Sequence, residues 1–155
     1  MAQIVQLIKD SEGFMSLSCL SEIPEQYINA NGSYISYRQI AGIMEDLFSL
    51  SQKATEYIYS LAFDSRMKLL GIMELGHGSE KEVHFELRDL FAGLILMRAS
   101  RFILVHNHVH GFLEPSKADR AKTEEAERLS KLLGMEFLNH IVVGDGNFKL
   151  IKDEP

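Results

Sequence analysis

The chain has 155 residues, and its 16 Lys and Arg against 22 Asp and Glu give a formal net charge of −6. That length fits a single domain able to bury roughly 70% of its unfolded surface without covalent staples. The negative balance argues against a broad phosphate-binding surface, and the lone cysteine, Cys19, excludes an internal disulfide and a cysteine-built zinc site.

Residues 1–32 are the least readable part and are expected to form an N-terminal extension. Their SEGFMSLSCLSEIPEQ run and the Asn31-Gly32 turn signal point to strands or irregular structure followed by a loop. The opening MAQIVQLIKDSEG has neither a basic start nor a long apolar core, so no signal peptide is expected. No run approaches about 18 apolar residues, so no membrane span is expected, and a single free cysteine fits a cytoplasmic location.

Residues 33–155 are expected to be the domain proper. From Ser36 to Leu50, Ile40, Ile43, Met44, Leu47 and Phe48 fall on one stripe of an amphipathic helix. Glu56–Phe63 and Lys68–Leu75 read as strands around an Asp64-Ser65-Arg66 turn. Glu86–Ala99 reads as a second helix, and Arg101–Val105, apolar and partly β-branched, as a buried strand. A third helix runs from Ser116 to about Leu133, with Ala126, Leu129, Leu132 and Leu133 at helical spacing. Strands Glu136–Val143 and Phe148–Ile151 flank Gly144-Asp145-Gly146. Interleaved helices and strands make an α/β layered domain.

The residues that carry chemistry lie in LVHNHVHGFLEPSKADR, where His106, His108, Ser116 and Asp119 form H-x-H-x7-S-x2-D. By average residue frequencies this order arises by chance in roughly one chain in a few thousand of this length. Alternate residues of a strand share a side, so His106 and His108 can converge on one ion while Asn107 points away. Asp119 falls in the first turn of the third helix, within reach of both. Two imidazoles and one carboxylate match the plan of catalytic zinc, whose fourth position holds water with a pKa near 7. One Zn2+ per chain is therefore expected. Glu74, a carboxylate within the apolar run LLGIMEL, is the candidate general base, since burial raises a carboxyl pKa into the proton-shuttling range; taken alone it reads equally as a strand Glu at an edge or facing solvent.

These residues resemble the JAMM signature of JAB/MPN-type metallohydrolases, and most closely the bacterial RadC-like JAB domain proteins. The resemblance runs from about Glu56 to Leu150, through GIMELGHGS, ILVHNH, EPSKAD and LLGMEFLNHIVVGDGNFKL. It implies a curved mixed sheet packed between helices, of a layered design broadly shared with cytidine deaminases. It also implies His106, His108 and Asp119 as zinc ligands, Glu74 as general base and Ser116 as donor to the developing oxyanion, in hydrolysis of a peptide or isopeptide bond. Deaminase chemistry itself is disfavoured, since its P-C-x-x-C ligands need more than one cysteine. The chain departs from the family in HNHVHG for HNHPSG, in VHFEL for VHPRE, and in Ser79 for a threonine. Residues 76–85 and 109–115, where it departs, are the segments expected to set specificity.

Other roles stay open on sequence grounds. Ser116-x-x-Asp119 is also a capping box. His110 is an ordinary loop histidine, a proton carrier or a competing ligand, and His77 lies near a loop that can line the cleft. His84 and His140 read as partly buried structural histidines. A protein or peptide substrate is the expected partner. Alternatives are a catalytically inactive MPN interaction module and the DNA-repair-associated accessory role that the RadC label carries, although the charge speaks against nucleic acid.

Overall fold

Seven strands share one sheet in the computed structural model, which describes residues 1–28 and 35–152. They are β1 (Gln3–Lys9), β2 (Met15–Glu22), β3 (Tyr57–Phe63), β4 (Leu69–His77), β5 (Arg101–Asn107), β6 (Glu136–Gly144) and β7 (Asn147–Leu150). Their spatial order is β2-β1-β4-β3-β5-β6-β7. The β1–β4 and β5–β6 pairs are parallel and the others antiparallel, so the sheet is mixed. Three helices cover it: α1 (Tyr37–Phe48), α2 (Leu87–Leu96) and α3 (Lys117–Leu132).

Side-chain alternation divides the core into two layers. Tyr59, Leu61, Ile103, Val105, Ile141 and Val143 face Ile40, Ile43 and Met44 of α1. Ile58, Ala62, Phe102, Leu104 and Phe137 face the other way, onto Leu90, Phe91 and Leu94 of α2 and Ala126 of α3. Both faces of β3 and β5 are therefore buried, which is why these strands read as continuous apolar runs. The α/β layered architecture expected from the sequence is thus present, as α1, then the sheet, then α2 with α3.

Helix α1 starts where Ser36 and Gln39 form a reciprocal capping box, and it stops where Ser49 adopts a left-handed φ of 49°. Helix α3 starts in the same way at Ser116 and Asp119. Of the expected stripe, Ala126 is buried and Leu129 packs against the core, whereas Leu132 and Leu133 are exposed and Thr123 and Ser130 complete the buried face. Three small residues let the helix lie close on the sheet, and the two leucines sit beyond it, near the helix end.

Residues 3–22 form an antiparallel hairpin whose β1 strand extends the sheet alongside β4. Asp10 sets the turn by accepting from the Glu12 and Phe14 amides. The expected Asn31-Gly32 turn lies outside the described residues.

Candidate metal centre

The site forms where β5 ends against the start of α3. His106 is fully buried; His108 and Asp119 are mostly buried. Their ligand atoms converge: His106 Nε2 lies 3.0 Å from His108 Nε2, and Asp119 Oδ2 lies 3.4 Å and 3.3 Å from the two nitrogens. Zinc–nitrogen bonds of about 2.0–2.1 Å in tetrahedral geometry require ligand separations of about 3.3 Å, so the set fits such an ion. Both its distances and its donor types suit a divalent cation.

The donors are also turned the right way. His108 Nδ1 donates to the Phe112 carbonyl, which leaves Nε2 as the lone-pair atom of the neutral ring. The Asp119 carboxylate accepts from the Ser116 amide, while Ser116 Oγ accepts from the Asp119 amide. The capping box therefore doubles as the device that aims the carboxylate. Gly111, at φ 77°, turns the loop between the histidines and α3, and a Cβ there would collide with the Asp145 carboxylate.

The electrostatics follow from burial and convergence. Burial lowers the His106 pKa against the opposing pull of Asp119, and burial next to His106 lowers that of His140 well below the ordinary value. The Asp119 hydrogen bond raises the His108 pKa over the cost of its burial. Burial pushes the Asp119 carboxyl up, but the adjacent His106 and His108 imidazoles, which favour the carboxylate by whatever positive charge they take up, outweigh it and hold the group well below the usual carboxylate range.

The structure does not bring Glu74 to this cluster. Ile58 pairs with His106 across the β3–β5 ladder, whereas Tyr59 pairs with Val105 on one side and Glu74 on the other. Glu74 therefore projects from the α1 face of the sheet, opposite His106, where it is half-exposed, paired with His77 and beside Tyr59. Burial, with Glu74 nearby, raises the Tyr59 pKa. The carboxylate beside the cluster is that of Glu56, 5% exposed, with Oε1 3.9 Å from His108 Nε2. Burial raises its pKa to about 7, opposed by His108 and reinforced by Asp119 and Glu82. Glu56 lies two residues before Ile58 and so on the His106 side, a parity that can be read only once the β3–β5 register is known.

The remaining histidines fall into place. His77 stacks on Tyr57 at 5.0 Å, away from the His106, His108 and Asp119 cluster. His110 lines the cleft and pairs with Glu80 at 3.5 Å, outside the ligand set. His84 is exposed rather than partly buried and borders the same cleft, in the loop that follows the end of β4. His140 is buried and hydrogen-bonded to His106. The cleft has a volume of about 340 Å³ and reaches Glu56, His108, Ser116 and Asp119. Gly78 lets the backbone pass close to Glu82, which lines the cleft, since a Cβ would meet the Glu82 carbonyl at 2.2 Å. A larger groove of about 840 Å³ runs along the outside of α3 and contains none of the three converging residues.

A family model for the RadC-like JAB domain matches residues 33–154. The chain belongs to the RadC-like JAB domain family. It is 34% identical over 100 residues to a UPF0758 protein of Cyanothece sp. strain PCC 7425, covering 64% of this chain and 41% of that protein. It is 31% identical over 112 residues to a UPF0758 protein of Clostridium acetobutylicum, covering 72% and 48% respectively. It is 34% identical over 103 residues to one from Methanosarcina acetivorans, covering 66% and 44%. The alignments thus span less than half the length of these relatives. Within this RadC-like JAB domain, among the described residues, no helix is long and apolar enough to cross a membrane.

Proposed function

We propose that this RadC-like JAB domain is a zinc-dependent hydrolase of peptide or isopeptide bonds, with His106, His108 and Asp119 holding the ion and Glu56 as general base. The observation that carries this is the convergence of three ligand atoms at tetrahedral separations beside a buried carboxylate on an open cleft. A bound zinc ion supplies Lewis-acid chemistry, activating water and polarising a carbonyl. Glu56 takes a proton from water in the cleft and returns it to the leaving amide nitrogen. Ser116 Oγ already accepts the Asp119 amide, so its own proton is free to donate to an oxyanion in the cleft. The Glu56, Glu80 and Glu82 carboxylates outnumber Lys81 there and disfavour a phosphate backbone, which supports a protein or peptide substrate.

The test is metal content. Purified protein is expected to hold close to one zinc per chain, and the His106→Ala/His108→Ala double variant none; equal zinc in both sinks the proposal.

A further inference from the structure

We propose that His140 and Thr123 are positioning residues that fix the imidazole tautomer of His106, leaving its Nε2 bare for a metal ion. This rests on the assignment of His106 as a ligand, and the argument is one of proton counting along a buried chain.

Thr123 Oγ1 lies 2.7 Å from the Asp119 carbonyl and 2.7 Å from His140 Nδ1. A carbonyl only accepts, so the single hydroxyl proton goes to Asp119 O, and Thr123 Oγ1 faces His140 as an acceptor. His140 Nδ1 then carries the proton, and Nε2 of the neutral ring becomes an acceptor. That Nε2 lies 2.8 Å from His106 Nδ1, which must therefore be the N–H. The remaining nitrogen of His106 is Nε2, the atom that meets His108 Nε2 and Asp119 Oδ2.

Burial makes the chain decisive. His106 is 0% exposed, His140 2% and Thr123 4%, so no bulk water can replace a missing partner. His140 is also held on both sides by its backbone, donating to Asn139 Oδ1 and accepting from the Ile151 amide. Thr123 lies one turn after Asp119 on α3, so a single helix supplies a ligand and sets the tautomer of another. Such partners behind a ligand typically change metal affinity by about 10–100-fold.

The test begins with the zinc-free protein, using long-range 1H–15N imidazole spectra at pH 8. His106 and His140 are both expected as the Nδ1–H tautomer; His106 found as Nε2–H overturns the proposal. Zinc affinity is then measured by competition with a chelator. Thr123→Val removes the acceptor at nearly constant shape, and is expected to shift His106 toward Nε2–H and to weaken zinc binding by about 10–100-fold. Thr123→Ser is expected to restore both. A folded Thr123→Val protein with wild-type tautomers and wild-type zinc affinity overturns the proposal. The wild-type spectra decide even if that variant fails to fold. Wild-type protein with the expected tautomers but no zinc affinity supports the hydrogen-bond chain and overturns instead the zinc assignment.

Discussion

Asn107 grips the backbone on both sides of Glu56: its Oδ1 accepts from the Tyr57 amide at 2.7 Å, and its Nδ2 donates to the Thr55 carbonyl at 3.1 Å. Glu56 is held from the other side as well, its amide donating to Ser79 O and its carbonyl accepting from the Gly78 amide. The residue between the two histidines thus anchors the carboxylate that stands beside them.

Glu56→Gln keeps this backbone clamp while removing the carboxylate proposed as the base. It is expected to lower the turnover of a cleaved amide substrate by about 10²–10⁴-fold with zinc retained. Glu74→Gln, on the opposite face, is expected to leave turnover unchanged. The reverse ranking, measured with a fluorogenic peptide library, returns the base to Glu74.

Asn107→Ala leaves a Tyr57 amide and a Thr55 carbonyl without their partner beside a fully buried position. The expected loss is about 2–4 kcal/mol in urea unfolding, larger than for a surface asparagine. A loss below that of an exposed control removes Asn107 from this structural role.

The raised Glu56 pKa makes stability depend on pH. In the metal-free protein the folded pKa is about 7 against an ordinary 4.5, so the folded state binds the proton more tightly. The resulting stabilisation is complete below pH 4.5 and disappears as pH rises through about 7. Glu56→Gln avoids the buried charge, and in chelator it is expected to exceed wild-type stability at pH 8 by about 1–3 kcal/mol. The gap should close as the pH is lowered; a constant gap contradicts the linkage.

Ser116→Ala separates capping from catalysis. Loss of the cap is expected to cost about 1 kcal/mol of stability, while the Ser116 amide still orients Asp119 and zinc stays bound. Turnover should fall by about 10²-fold if the hydroxyl also serves an oxyanion. A stability loss with unchanged turnover reduces Ser116 to a cap.

Zinc removal should destabilise the wild type far more than a ligand variant. At a hundredfold excess over Kd the ion adds about 2.7 kcal/mol, which a chelator abolishes. Asp119→Asn is expected to show a much smaller chelator effect in thermal melts, and an equal shift in both proteins argues that the ion binds elsewhere.

What the sequence alone determined was local. His106, His108, Ser116 and Asp119 were legible because their geometry follows from short-range periodicity: alternate residues at a strand end, and the capping turn of the next helix. The helices and central strands were legible for the same reason. The choice between Glu56 and Glu74 was not, since it depends on which strand lies beside β5 and on which face each side chain emerges. Only the assembled sheet decided that β3 sits between β4 and β5, with Ile58 opposite His106 and Tyr59 opposite Glu74. The contact of His140 with His106 arises likewise from the parallel β5–β6 pairing, across 34 residues of chain. Neighbours along a strand are set by covalent geometry, whereas neighbours across it are set by packing the whole chain, and the carboxylate beside the cluster and the buried histidine pair belong to the second kind.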